Sequence, residues 1–122
     1  MVTTKTMGDA AEEMAWAHLQ RHGLALVQRN YRVARGPRSR GGEIDLIARE
    51  RDGTLVFVEV RRRRSAGHGG AAASITGLKQ RSLVLAAQHF LQRYPALPAC
   101  RFDVVAIDGD RIEWLRGAFD AG

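Results

Sequence analysis

The chain has 122 residues, a net charge of +6 from nineteen Lys+Arg against thirteen Asp+Glu, and a single cysteine. That length favours one domain over residues 1–122 with a real core, and 45% hydrophobic with 26% charged residues excludes a disordered basic tail. A lone Cys100 excludes a disulfide framework and a Cys-rich zinc site. No stretch approaches the ~20 apolar residues that span a bilayer, and Met1 to Met14 lacks the apolar run of a signal peptide, so the expected address is the cytoplasm.

In chain order, residues 7–22 read as a helix. Ala11, Ala15, Leu19 and His22 recur at three- and four-residue spacing and face a core. Asp9 followed by Glu12 predicts the helix start, and Gly23 its end. Leu24 to Val33 is a first strand. Residues 34–42 form a loop rich in Gly, Pro and Arg. Glu43 to Arg49 is a second strand, Arg51-Asp52-Gly53 a turn, and Thr54 to Arg61 a third strand with the most β-prone run in the chain. Residues 62–73 read as a flexible Arg- and Gly-rich loop. Ser74 or Thr76 caps a second helix that runs to Tyr94, before Pro95. Arg101 to Ile107 and Arg111 to Leu115 complete five strands. The class is α/β: three strands in an antiparallel meander, a helical crossover to a parallel fourth, and a mixed sheet flanked by helices.

Nearly all the positive charge is arginine; Lys5 and Lys79 are the only lysines. The guanidinium fork suits phosphate, and a basic domain of this size commonly meets nucleic acid. A membrane surface fits less well, because no basic amphipathic helix or lipid-anchor signal stands out.

Side chains alternate along a strand, so Glu43, Asp45 and Ile47 are expected on one face and Phe57, Glu59 and Arg61 on one face of the neighbour. A three-residue loop with Gly53 in the left-handed position places Asp45 opposite Glu59; a two-residue turn would put them on opposite faces. Opposed carboxylates repel. A divalent cation between them, with the Val60 carbonyl as a further ligand, is one resolution; ion pairs with nearby arginines are the other. Arg35, Arg38 and Arg40 precede the second strand, and Arg61, Arg62, Arg63 and Arg64 end the third. Arginines on both sides of a carboxylate pair suit a phosphodiester held with its metal.

Glu43-x-Asp45 followed by Phe57-Val58-Glu59-Val60-Arg61 resembles the restriction-endonuclease-like superfamily, whose motif is an Asp, a gap, then Glu-x-Lys on the next strand. More closely, the chain resembles the small bacterial YraN family, relatives of Holliday junction resolvases. Gly8-x-x-x-Glu12, Arg29-Asn30-Tyr31-Arg32, Gly42 to Ile47, Val56 to Val60, Lys79-Gln80 and Arg101 to Val105 also belong to the likeness, which covers nearly the whole chain. The resemblance implies an αβββαβ core and a Mg- or Mn-dependent nuclease acting on DNA, branched DNA included. Asp45 and Glu59 would be metal ligands, Glu12 a third ligand, and the protein a homodimer. Glu12 has the alternative role of capping its helix.

The superfamily's lysine is replaced by Arg61, which cannot accept a proton but can stabilise negative charge. Lys79 is a candidate substitute, sharing a helix stripe with Leu83, Ala87 and Phe90; snorkelling at the helix start is the ordinary alternative. Asp103 either faces the site or pairs with an arginine, His68 touches phosphate or nothing, and Cys100 is expected to be buried. Two rival functions remain: a nuclease fold that binds nucleic acid without cutting it, and a protein-interaction domain for an acidic partner.

Overall fold

A computed structural model of the protein describes residues 4–34, 41–62 and 75–121. The elements are α1 (Thr4–Arg21), β1 (Ala25–Val33), β2 (Gly42–Arg49), β3 (Leu55–Arg62), α2 (Gly77–Leu91), β4 (Cys100–Asp108) and β5 (Arg111–Phe119). They form one sheet in the order β1-β2-β3-β4-β5. β1 to β3 are antiparallel, β4 runs parallel to β3, and β5 returns antiparallel. The first six elements are the αβββαβ order of a restriction-endonuclease-like core, and β5 extends the sheet. No described helix is long and apolar enough to cross a membrane. The expectations for Arg35, Arg38, Arg40, Arg63, Arg64, His68 and Ser74 lie outside the described residues.

The two helices cover opposite faces of the sheet. Ala11, Ala15 and Leu19 of α1 pack with Leu46, Ala48, Val56, Val58, Val105 and Ile107. Leu83, Ala86, Ala87 and Phe90 of α2 pack with Ile44, Ile47, Leu55, Phe57, Phe102 and Val104. β3 thus feeds both layers, Val56 and Val58 to one and Leu55 and Phe57 to the other, which is why its sequence is continuously apolar rather than alternating. Phe57 and Phe90 are fully buried; burying such a side chain stabilises by about 1.5–3 kcal/mol. Gly42 lets β2 approach α2: a Cβ there would sit 2.6 Å from the Ser82 carbonyl oxygen.

Several boundaries differ from the sequence reading. Helix α1 begins at Thr4, so Asp9 and Glu12 lie inside it rather than at its start. Helical amides beyond the first turn are already bonded within the helix, so neither carboxylate caps it. The end is as expected: Gly23, at φ 92°, closes a turn in which its N–H donates to Gln20 O and the Leu24 N–H to Leu19 O, the Schellman arrangement. His22 falls past the helix and is exposed. Thr76 caps α2, its hydroxyl accepting from the Lys79 N–H at 3.1 Å. The regular helix stops at Leu91, and i→i−3 bonds from Gln92, Arg93 and Tyr94 carry the coil to Pro95. β5 continues to Phe119 because Gly117, at φ 59°, bends it while its N–H donates to Asp103. Cys100 is exposed rather than buried, at the first position of β4, where the sheet ends.

Candidate active site

The Arg51-Asp52-Gly53 turn sets the site's register. Gly53 has φ 95°, its N–H donates to Glu50 O at 3.0 Å, and the Glu50 N–H donates to Thr54 O. Ile47 therefore pairs with Phe57 and Leu46 with Val58, so one further rung brings Asp45 opposite Glu59. The ladder ends before that rung. Instead, Asp45 Oδ2 accepts from the Val60 N–H at 2.8 Å, so a side chain takes a backbone partner's place.

The two carboxyls meet. Glu59 is almost entirely buried, 2% exposed. Its pKa is pushed up from 4.5 to about 8, by burial first, then by the Asp45 charge and a hydrogen bond with Asp45. Two cations partly oppose this: Lys79 Nζ lies 3.6 Å from Glu59 Oε2, and so does Arg61 Nη1. Both distances are ion-pair contacts rather than hydrogen bonds, and both side chains remain more than a third exposed. Lys79 thus reaches from α2 to the carboxylate beside which Arg61 occupies the motif-lysine position.

The oxygen-only donor set fits a hard divalent cation. Burial first and the Asp45 charge second raise the Glu59 pKa, and Lys79 and Arg61 offset this only in part. The assembly is narrower than the full set expected from sequence. Among the described residues, no three His, Cys, Asp or Glu side chains converge on a point that could hold an ion. Glu12 stands at the margin: its pKa is raised by burial and then by the Asp45 charge, and a hydrogen bond from the Asn30 side chain opposes the rise. Glu43 lies apart, its Oε1 3.7 Å from Arg32 Nη2. The expectation that Glu43, Asp45 and Ile47 share a face fails. Gly42 and Ile44 face α2, and so does Ile47; Ile44 and Ile47 are an odd number of residues apart, so the alternation breaks at Asp45.

Arg62 is exposed at the end of β3. Asp103 is fully buried and takes the arginine alternative. It accepts from Arg101 Nε at 3.0 Å, Trp114 Nε1 at 2.9 Å and the Gly117 N–H at 2.9 Å. Sequence reading missed Asn30 as a site residue; its signal was a β-depleted residue inside a strand.

The family model "Uncharacterised protein family UPF0102" matches residues 11–107. A UPF0102 protein of Methylibium petroleiphilum is 64% identical over 99% of both chains. One from Acidovorax is 63% identical over 98% of this chain and 88% of its own, and one from Cupriavidus taiwanensis 60% identical over 93% and 82%. UPF0102 is the YraN family that the strand motifs resemble, and with its model covering most of the chain, this protein belongs to it.

Proposed function

We propose that the protein is a divalent-metal-dependent nuclease that hydrolyses phosphodiester bonds of nucleic acid, DNA being the expected substrate. The observation that carries this reading is the meeting of Asp45 and Glu59, with Lys79 and Arg61 both 3.6 Å from the same Glu59 oxygen. Asp45 and Glu59 would hold Mg or Mn, with the Val60 carbonyl as the adjoining backbone oxygen. Such an ion, when bound, supplies Lewis-acid neutralisation of phosphate charge and acidifies water. Lys79 Nζ, 3.6 Å from Glu59 Oε2, carries N–H donors that can orient a water or a phosphate oxygen at the site. Arg61 stays charged and stabilises negative charge developing on the phosphate oxygens. Arg62 extends that positive surface along β3, and the net charge of +6 favours an anionic polymer.

The second reading, binding without cleavage, draws support from arginine at the motif-lysine position. Cleavage assays with Mg and Mn on junction, flap and single-stranded DNA separate the two. The nuclease reading expects metal-dependent cuts abolished by Asp45→Ala or Glu59→Ala. Lys79→Ala should slow cleavage about 100-fold or more, the usual size of the loss of one charge-stabilising donor, while leaving DNA affinity nearly intact. Wild-type activity no greater than that of the Asp45→Ala/Glu59→Ala double variant eliminates the enzyme. Loss of DNA binding at low salt eliminates both readings.

A further inference from the structure

Asn30 is the one non-glycine residue with a positive φ, 51°, among the described residues. Asparagine tolerates this conformation better than most residues. Inside a strand it still calls for a structural reason. The reason lies at its own rung. Arg29 pairs with Leu46 and Tyr31 with Ile44, but Asn30 and Asp45 between them do not pair. On the other side of β2, pairing with β3 stops at Leu46. Asp45 is therefore released from both neighbouring strands.

The faces exchange at the same point. Arg29 pairs with Glu13 of α1, whereas Tyr31 packs in the α2 layer. Leu46 packs in the α1 layer, whereas Ile44 packs in the α2 layer. Residues two apart in a regular strand share a face, so β1 and β2 both turn over at the Asn30–Asp45 rung.

We propose that Asn30 is a positioning residue for the acidic site. Its left-handed backbone frees Asp45 to turn onto the Val60 N–H beside Glu59. The effect on ion affinity rests on the reading of Asp45 and Glu59 as cation ligands; the effect on Asp45 geometry does not.

Two variants separate backbone from side chain. Asn30→Gly keeps the left-handed conformation and loses the amide. Asn30→Ala loses the amide and strains the backbone. The first measurement is amide hydrogen exchange by NMR in metal-free protein. In Asn30→Ala, the Val60 amide should exchange about 10-fold faster or more, with Val56, Phe57 and Val58 unchanged; in Asn30→Gly, Val60 should stay protected. Unchanged Val60 protection in Asn30→Ala, or equal acceleration of all four amides, overturns the backbone role.

The second measurement is Mn²⁺ titration. Asn30→Ala should bind about 10-fold more weakly, as for other residues that orient metal ligands, while Asn30→Gly, which keeps the backbone conformation, should bind as the wild type does. Equal weakening in Asn30→Gly and Asn30→Ala overturns the backbone's part in ion binding. A folded wild-type protein that binds no Mn²⁺ overturns the cation-ligand reading instead, and Val60 exchange then decides the positioning role by itself.

Discussion

Replacing Glu59 with Gln should change how stability depends on pH more than it changes the fold. The folded state raises the Glu59 pKa from 4.5 to about 8, and each unit is worth about 1.4 kcal/mol between the two protonation states. The folded protein therefore holds this proton more tightly than the unfolded chain does. Its stabilising contribution is complete below pH 4.5 and is lost as pH rises through about 8. Between pH 5 and 8 the metal-free wild type should lose on the order of 3 kcal/mol that Glu59→Gln does not lose. Urea unfolding at fixed ionic strength, with chelator present, measures this at each pH. Subtracting the Glu59→Gln curve cancels other titrating groups such as His18, whose pKa burial lowers. Parallel curves for the two proteins would refute the argument, because they would mean the carboxyls do not compete for charge. If the pair holds an ion as proposed, added Mg or Mn should stabilise the wild type more at pH 8 than at pH 5, since the ion would take the place the proton leaves.

Asp103→Ala should cost about 1–3 kcal/mol, because it leaves the Trp114 and Gly117 N–H groups without their acceptor, while Arg101 keeps Glu50 as its partner; a thermal midpoint within a degree of wild type would contradict this. Gly42→Ala should destabilise by about 1–3 kcal/mol through overpacking, because the new Cβ meets the Ser82 carbonyl at 2.6 Å and the Ala86 nitrogen at 2.8 Å. A wild-type denaturation midpoint for that variant would mean β2 and α2 are less closely docked.

The helices and strands were legible because each carries a period or a punctuation mark. Ala11, Ala15 and Leu19 repeat as a helix requires, Gly23 and Gly53 stand where left-handed turns fall, and Pro95 follows the last turn after α2. The meeting of Asp45 and Glu59 was legible through loop length, since three turn residues fix the register. The break in β2 was not. Both faces of the sheet are covered, so Ile44, Leu46 and Ile47 are apolar whichever way each points, and alternation carries no information there. Lys79 was visible as a lysine on a core-facing stripe, but its distance to Glu59 depends on how α2 crosses the sheet, which no local pattern encodes. The buried role of Asp103 was only partly visible: Trp114 lies within the strand expected over Arg111 to Leu115, but Gly117 lies past Leu115, where that strand was expected to stop.

The rigidity around the acidic pair determines what can relieve it. Ile44, Leu46 and Val58 are fully buried, so the backbone on either side of the carboxyls is locked into packed layers that tolerate little displacement. The repulsion between Asp45 and Glu59 therefore cannot relax by moving the strands apart. It can be answered by a proton, by Lys79 and Arg61, or by an ion. The proton is lost as pH rises through about 8. Lys79 and Arg61 stay partly in water at 3.6 Å, where solvent weakens their attraction. A divalent cation in direct contact with both carboxylates answers the charge deficit most completely. The proposed ion-binding role and a purely structural pair of ion bridges therefore differ in one readout: added Mg or Mn stabilises the wild type at pH 8 and not Glu59→Gln only if the pair holds an ion.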